Sequence, residues 1–137
     1  MYPIRQLRRS ALVGGGAVVV ALVGTMANAG SADAAAPSAL VSGHCTARST
    51  TSLQVQHSEP GKIEAGFEVD HARVGSQWKV RLTHNGVSYF VGRRIARASG
   101  GTFSVDRVLP DLAGGDRITA RARNLATGEV CTVAGTI

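Results

Sequence analysis

Beyond residue 40 the chain alternates apolar and polar side chains, the signature of strands that bury one face. Leu53 and Val55 alternate with polar neighbours, and Ile63, Ala65, Phe67 and Val69 alternate with Glu64, Glu68 and Asp70. Trp78, Val80 and Leu82 interleave with Lys79, Arg81 and Thr83, and Phe103 and Val105 with Thr102, Ser104 and Asp106. Ile118, Ala120 and Ala122 interleave with Arg117, Thr119, Arg121 and Arg123, and Cys131 and Val133 close the pattern. No apolar stripe of helical period follows residue 40. The pattern predicts an all-β domain over 41–137.

Turn chemistry sets some of the pairing. Asn85-Gly86 suits a two-residue type I′ hairpin turn, since both residues accept positive φ. That turn pairs His84 with Val87, Leu82 with Tyr89 and Val80 with Val91, and puts Phe90 opposite Arg81, outside the core. Glu59-Pro60-Gly61-Lys62 suits a turn with glycine in the left-handed position. The loop Leu125-Ala126-Thr127-Gly128 pairs Ala122 with Cys131 and Ala120 with Val133. Seven to eight short strands with such connections predict an immunoglobulin-like antiparallel β-sandwich. On its inner face Trp78 is expected in the core.

The first forty residues read differently. Arg5, Arg8 and Arg9 precede an apolar stretch from Leu12 to Val23 and an Ala27-Asn28-Ala29 cleavage site, the layout of a secretory signal peptide over 1–29. Cleavage near Gly30 leaves a Gly-, Ala- and Ser-rich linker over 30–40. The rival reading is an uncleaved anchor, because the uncharged stretch is long enough to span a bilayer. Export places the protein outside the cell, where Cys45 and Cys131 are expected as a disulfide. A zinc site of these cysteines with His44 is the weaker alternative, since no second cluster completes it.

Two resemblances follow from named segments. Leu112 to Asn124 resembles the late-strand region of fibronectin type III modules, with Ile118 where those carry a corner tyrosine. The runs Gln77 to Gly86, Gly101 to Arg107 and Ala120 to Cys131 resemble a family of small secreted actinobacterial proteins with one disulfide. That resemblance implies secretion and the single disulfide. It supplies no catalytic residue.

The 137 residues hold 15 Lys and Arg against 9 Asp and Glu, and a leader carrying three arginines and no acid leaves the remainder at +3. With 17 glycines and 18% charged residues the chain is no coiled coil. No catalytic, cofactor or metal motif stands out. His44, His57, His71 and His84 lack metal-ligand spacing and read as surface imidazoles. Glu64, Glu68 and Asp70 share one strand face and are expected to form a charge ladder with Lys79 or Arg81 rather than a glycosidase pair.

The distinctive surface is basic. Arg117, Arg121 and Arg123 share the outward face of one strand, and Arg93, Arg94 and Arg97 follow the Asn-Gly hairpin. The candidate binding surface is Arg117, Arg121 and Arg123 with Arg81, Arg93, Arg94 and Phe90, the last either stacked on Arg81 or exposed as a contact residue. The expectation is a secreted, non-enzymatic binding or structural module that needs no cofactor. Its expected partner is an anionic envelope polymer, such as a wall teichoic acid, or another extracellular protein. Nucleic acid and stable membrane insertion after cleavage are not expected. The rival classes are an enzyme with an unrecognised site and a small proteinaceous inhibitor or effector that uses 97–102 as its contact segment.

Overall fold

Each alternating stretch forms a strand whose apolar set faces inward. The computed structural model describes residues 37–97 and 99–137. The expected signal peptide, and the expected linker up to residue 36, lie outside the described residues. The described residues form nine strands: β1 (Ser38–Ser42), β2 (His44–Cys45), β3 (Thr50–His57), β4 (Lys62–Asp70), β5 (Gln77–His84), β6 (Val87–Ile95), β7 (Phe103–Pro110), β8 (Arg117–Asn124) and β9 (Val130–Thr136). They build two antiparallel sheets, ordered β1-β3-β4-β7 and β2-β9-β8-β5-β6. The protein is a β-sandwich.

Strand β1 begins inside the segment expected as linker. Its pairing with β3 explains why the sequence hides it: only Val41 packs on the core, while Leu40 on the other face is 75% exposed. The chain then crosses to the second sheet at Gly43. A Cβ there would lie 2.3 Å from the Thr132 carbonyl oxygen and 2.5 Å from Val133 Cβ, so only glycine passes. Two residues on, Cys45 stands directly opposite Cys131 and the two form the expected disulfide, with Cα atoms 4.0 Å apart.

Leu53, Val55, Ile63, Phe67, Val69, Val80, Leu82, Val105 and Ile118 fill the space between the sheets. Trp78 is wholly buried there, with its ring 5.6 Å from Phe103, and its indole N–H donates to Ser76 Oγ at 2.9 Å. The Glu59 to Lys62 turn closes as expected, with the Lys62 amide donating to the Glu59 carbonyl at 2.9 Å. The β8–β9 register is also as expected, Ala122 opposite Cys131 and Ala120 opposite Val133.

The Asn-Gly turn forms as expected, with φ of 48° at Asn85 and 81° at Gly86, and it pairs His84 with Val87. The register beyond it departs from expectation. A β-bulge takes up Tyr89, so Leu82 faces Phe90 and Val80 faces Gly92. Both aromatics pack against the core in consequence, which strict alternation would forbid.

Reduction should matter to this fold, because the disulfide joins residues 86 apart and constrains most of the unfolded domain. Replacing both cysteines with serine is expected to lower unfolding free energy by about 2–5 kcal/mol. Urea titrations of the oxidised protein and the double variant measure this, and equal midpoints would contradict it.

Candidate functional site

The pairing of β5 with β8 and β6 decides which cations meet. Lys79 stands opposite Arg123 on one side and Arg93 on the other, and Arg81 stands opposite Arg121. Residues directly opposite in a sheet share a face. Five cations therefore cluster on the outer face of the five-stranded sheet, all of them exposed. Lys79, Arg81, Arg121 and Arg123 line a depression of about 300 Å³. Among the described residues no arginine forms an ion pair with a carboxylate.

The expected charge ladder does not form. Glu64, Glu68 and Asp70 lie on β4, in the other sheet from Lys79 and Arg81. The Glu64 carboxylate accepts a bond from Gln56 Nε2 at 3.4 Å. Asp70 accepts bonds from Thr102 Oγ1 at 2.6 Å and from the His71 amide at 2.8 Å, and these hold its carboxyl below the usual range. Asp106 stands opposite Gly66 on the same outer face as Glu64 and Glu68. Acid and base are thus segregated onto opposite sides of the sandwich.

The basic residues named from sequence divide into two groups. Arg81, Arg93, Arg121 and Arg123 come together, and Lys79, which the sequence reading assigned to the acidic ladder, joins them. Arg117 shares their face but stands four residues along β8 from Arg121, outside the depression. Arg97 lies beyond β6, in the turn closed by backbone bonds between Arg97 and Thr102.

Arg94 faces inward opposite Trp78 and leaves the cationic face altogether. Phe90 does not stack on Arg81. Its ring lies across Gly92, where a Cβ would come within 2.7 Å of Phe90 Cζ. Arg94 and Arg107 cover that ring, with guanidinium carbons 4.9 and 4.5 Å from its centroid. This stack closes the open side of the sandwich between β6 and β7. Beside it the Tyr89 hydroxyl is buried without a hydrogen-bond partner, and burial pushes its pKa up to about 12.

The histidines do not build a catalytic group. His44 and His71 are exposed, and half-buried His57 contacts Asp111 at 3.3 Å. His84 is buried, contrary to expectation, and its Nε2 meets the buried Asp116 carboxylate. Burial by itself would raise the Asp116 pKa. Hydrogen bonds from His84 and from the Leu112 amide outweigh it and hold the carboxyl below its ordinary value. The backbone of Asp116 also exchanges hydrogen bonds with Ile137, so the pair anchors the chain end as well as the Asn-Gly hairpin. Cys45, Glu129 and Cys131 lie close enough for a metal, but both sulfurs are committed to the disulfide. Glu129 receives the Ser49 amide at 2.9 Å.

Comparison with models of known protein families and with curated proteins finds no match to this chain.

Because the Asp116 pKa is lowered on folding, its contribution to stability is present above the unfolded value of 3.8 and is lost as pH falls through the folded value. Unfolding free energy should therefore drop between pH 5 and pH 2. Asp116→Asn is expected to cost about 1–3 kcal/mol at pH 7, since it replaces charge-assisted bonds at a buried site with neutral ones, and to flatten the acid limb. Urea titrations at neutral and acid pH read both effects. A variant as stable as the parent at pH 7 would overturn the assignment.

Proposed function

We propose that the protein is a secreted, non-enzymatic binding module that docks an anionic polymer of the cell envelope on the outer face of its five-stranded sheet. One observation carries the reading. Lys79, Arg81, Arg93, Arg121 and Arg123 share that face, and among the described residues no carboxylate pairs with any of them. Like charges directly opposite in a sheet destabilise it. A face that gathers them with no internal counter-charge is suited to an external one.

The disulfide is compatible with an oxidising compartment. Among the described residues no helix is long and apolar enough to cross a membrane. The strand order, with β3-β4-β7 facing β9-β8-β5-β6, supports an immunoglobulin-like assignment. The resemblance to small secreted actinobacterial proteins supports the same compartment.

Binding of the purified protein to wall teichoic acid tests the proposal. Counterion release from four contacts predicts an affinity loss of roughly 50-fold for a fourfold rise in salt. Arg81→Gln, Arg121→Gln and Arg123→Gln together should abolish binding while leaving stability unchanged or raising it by a few tenths of a kcal/mol. Undiminished binding by the triple variant, or a large loss of stability, would return these arginines to a structural role.

A further inference from the structure

Granted that this face binds anions, the depression narrows the class of anion. Its four cations stand in two cross-strand rows, Lys79 beside Arg123 and Arg81 beside Arg121. Facing residues in a row are about 5 Å apart at Cβ. The rows are two residues apart, about 7 Å along the strands. Among the described residues none of the four pairs with a carboxylate.

A single carboxylate is a poor match for this arrangement. It carries one charge and two oxygens, and one guanidinium fork satisfies both. The remaining cations would still face one another. A phosphate monoester carries about 1.5–2 negative charges at neutral pH and offers three terminal oxygens. That is enough for two opposed guanidiniums to bind at once, with a lysine acting as a point charge nearby.

We propose that the depression is a binding site for a polyvalent phosphate group, a phosphomonoester or a diphosphate. Arg81 and Arg121 grip the terminal oxygens from facing strands. Lys79 and Arg123, one row on, neutralise the remaining charge or the second phosphate. The recognised feature is then a terminal phosphomonoester or a diphosphate linkage, and a run of singly charged groups, carboxylates or phosphodiesters, binds less well.

Isothermal titration of the purified protein at constant ionic strength separates these cases. Inorganic pyrophosphate should bind at least about tenfold more tightly than malonate, the margin expected when bidentate, charge-assisted bonds replace general attraction. Arg81→Gln or Arg121→Gln should remove that preference, and Arg117→Gln, on the same face outside the depression, should preserve it. Equal affinity for malonate and pyrophosphate would overturn the phosphate assignment and leave the polyanion reading standing. Binding of neither probe nor of teichoic acid would overturn both. Equal losses from Arg117→Gln and Arg121→Gln would also refute a localised site. Vesicles with phosphomonoester headgroups, set against vesicles of equal charge with phosphodiester headgroups, identify the source. Preferential binding to the former assigns the phosphate to a lipid, and tighter binding to a polymer with terminal phosphomonoesters than to its phosphatase-treated form assigns it to the polymer.

Discussion

The pairing of β5 with β8 is the constraint on which the other features rest. Strand β5 brings the bulky Trp78, Val80 and Leu82 to the core, while β8 brings Ala122 and Ala120 opposite the last two. Large thus meets small across the pair. A slip of one residue would turn every one of these side chains to solvent and bring charges into the core. The core therefore fixes the register, and the register forces Lys79 against Arg123 and Arg81 against Arg121. The cationic cluster is a consequence of core packing that any alternative residue at those outward positions would have avoided. Outward positions are the ones least constrained by folding, so three arginines and a lysine at four of them call for an explanation outside the fold.

Two populations of arginine result, and the bulge at Tyr89 separates them. Before the bulge, the hairpin follows the turn register. After it, Phe90, Gly92 and Arg94 face inward and Arg93 faces outward. Arg94 and Arg107 then lie on the Phe90 ring at the sandwich edge, where their stems cover apolar surface and their heads reach solvent. They act as packing groups. Among the described residues the arginines of the outer face stack on no aromatic and pair with no acid, so their charges remain available. The same residue type serves closure in one place and display in the other.

Much of the fold was legible because a half-buried strand writes its burial in a period of two. β3, β4, β5, β7, β8 and β9 all announce themselves in this way, as does the core position of Trp78. β1 and β2 do not, since short edge strands with no fully buried residue have no period to show. The bulge left no signal either: two adjacent aromatics on an edge strand fit the alternation equally well with either ring inside. The burial of His84 follows from its partner Asp116, which lies 32 residues away in sequence. An inward-pointing histidine directly before the hairpin turn was a readable hint, because His84 continues the series of Trp78, Val80 and Leu82. For the candidate site, alternation identified Arg121 and Arg123. Their meeting with Lys79 and Arg81 required the order of strands in the sheet, which local pattern does not contain.

Segregation of charge completes the argument about the basic face. Glu64, Glu68 and Asp106 project from the opposite sheet. Two packed sheets are about 10 Å apart, and side chains on both outer faces add to that separation. Screening at physiological salt acts over about 8 Å. Through solvent, the acids are too distant to neutralise the arginines. Across the low-dielectric interior their effect is to orient the molecule, with the basic face attracted to an anionic surface and the acidic face repelled from it. A protein with the same net charge but interleaved signs would approach such a surface without preferred orientation. Here the strand order that builds the core also aims the depression of Lys79, Arg81, Arg121 and Arg123 at what it would bind.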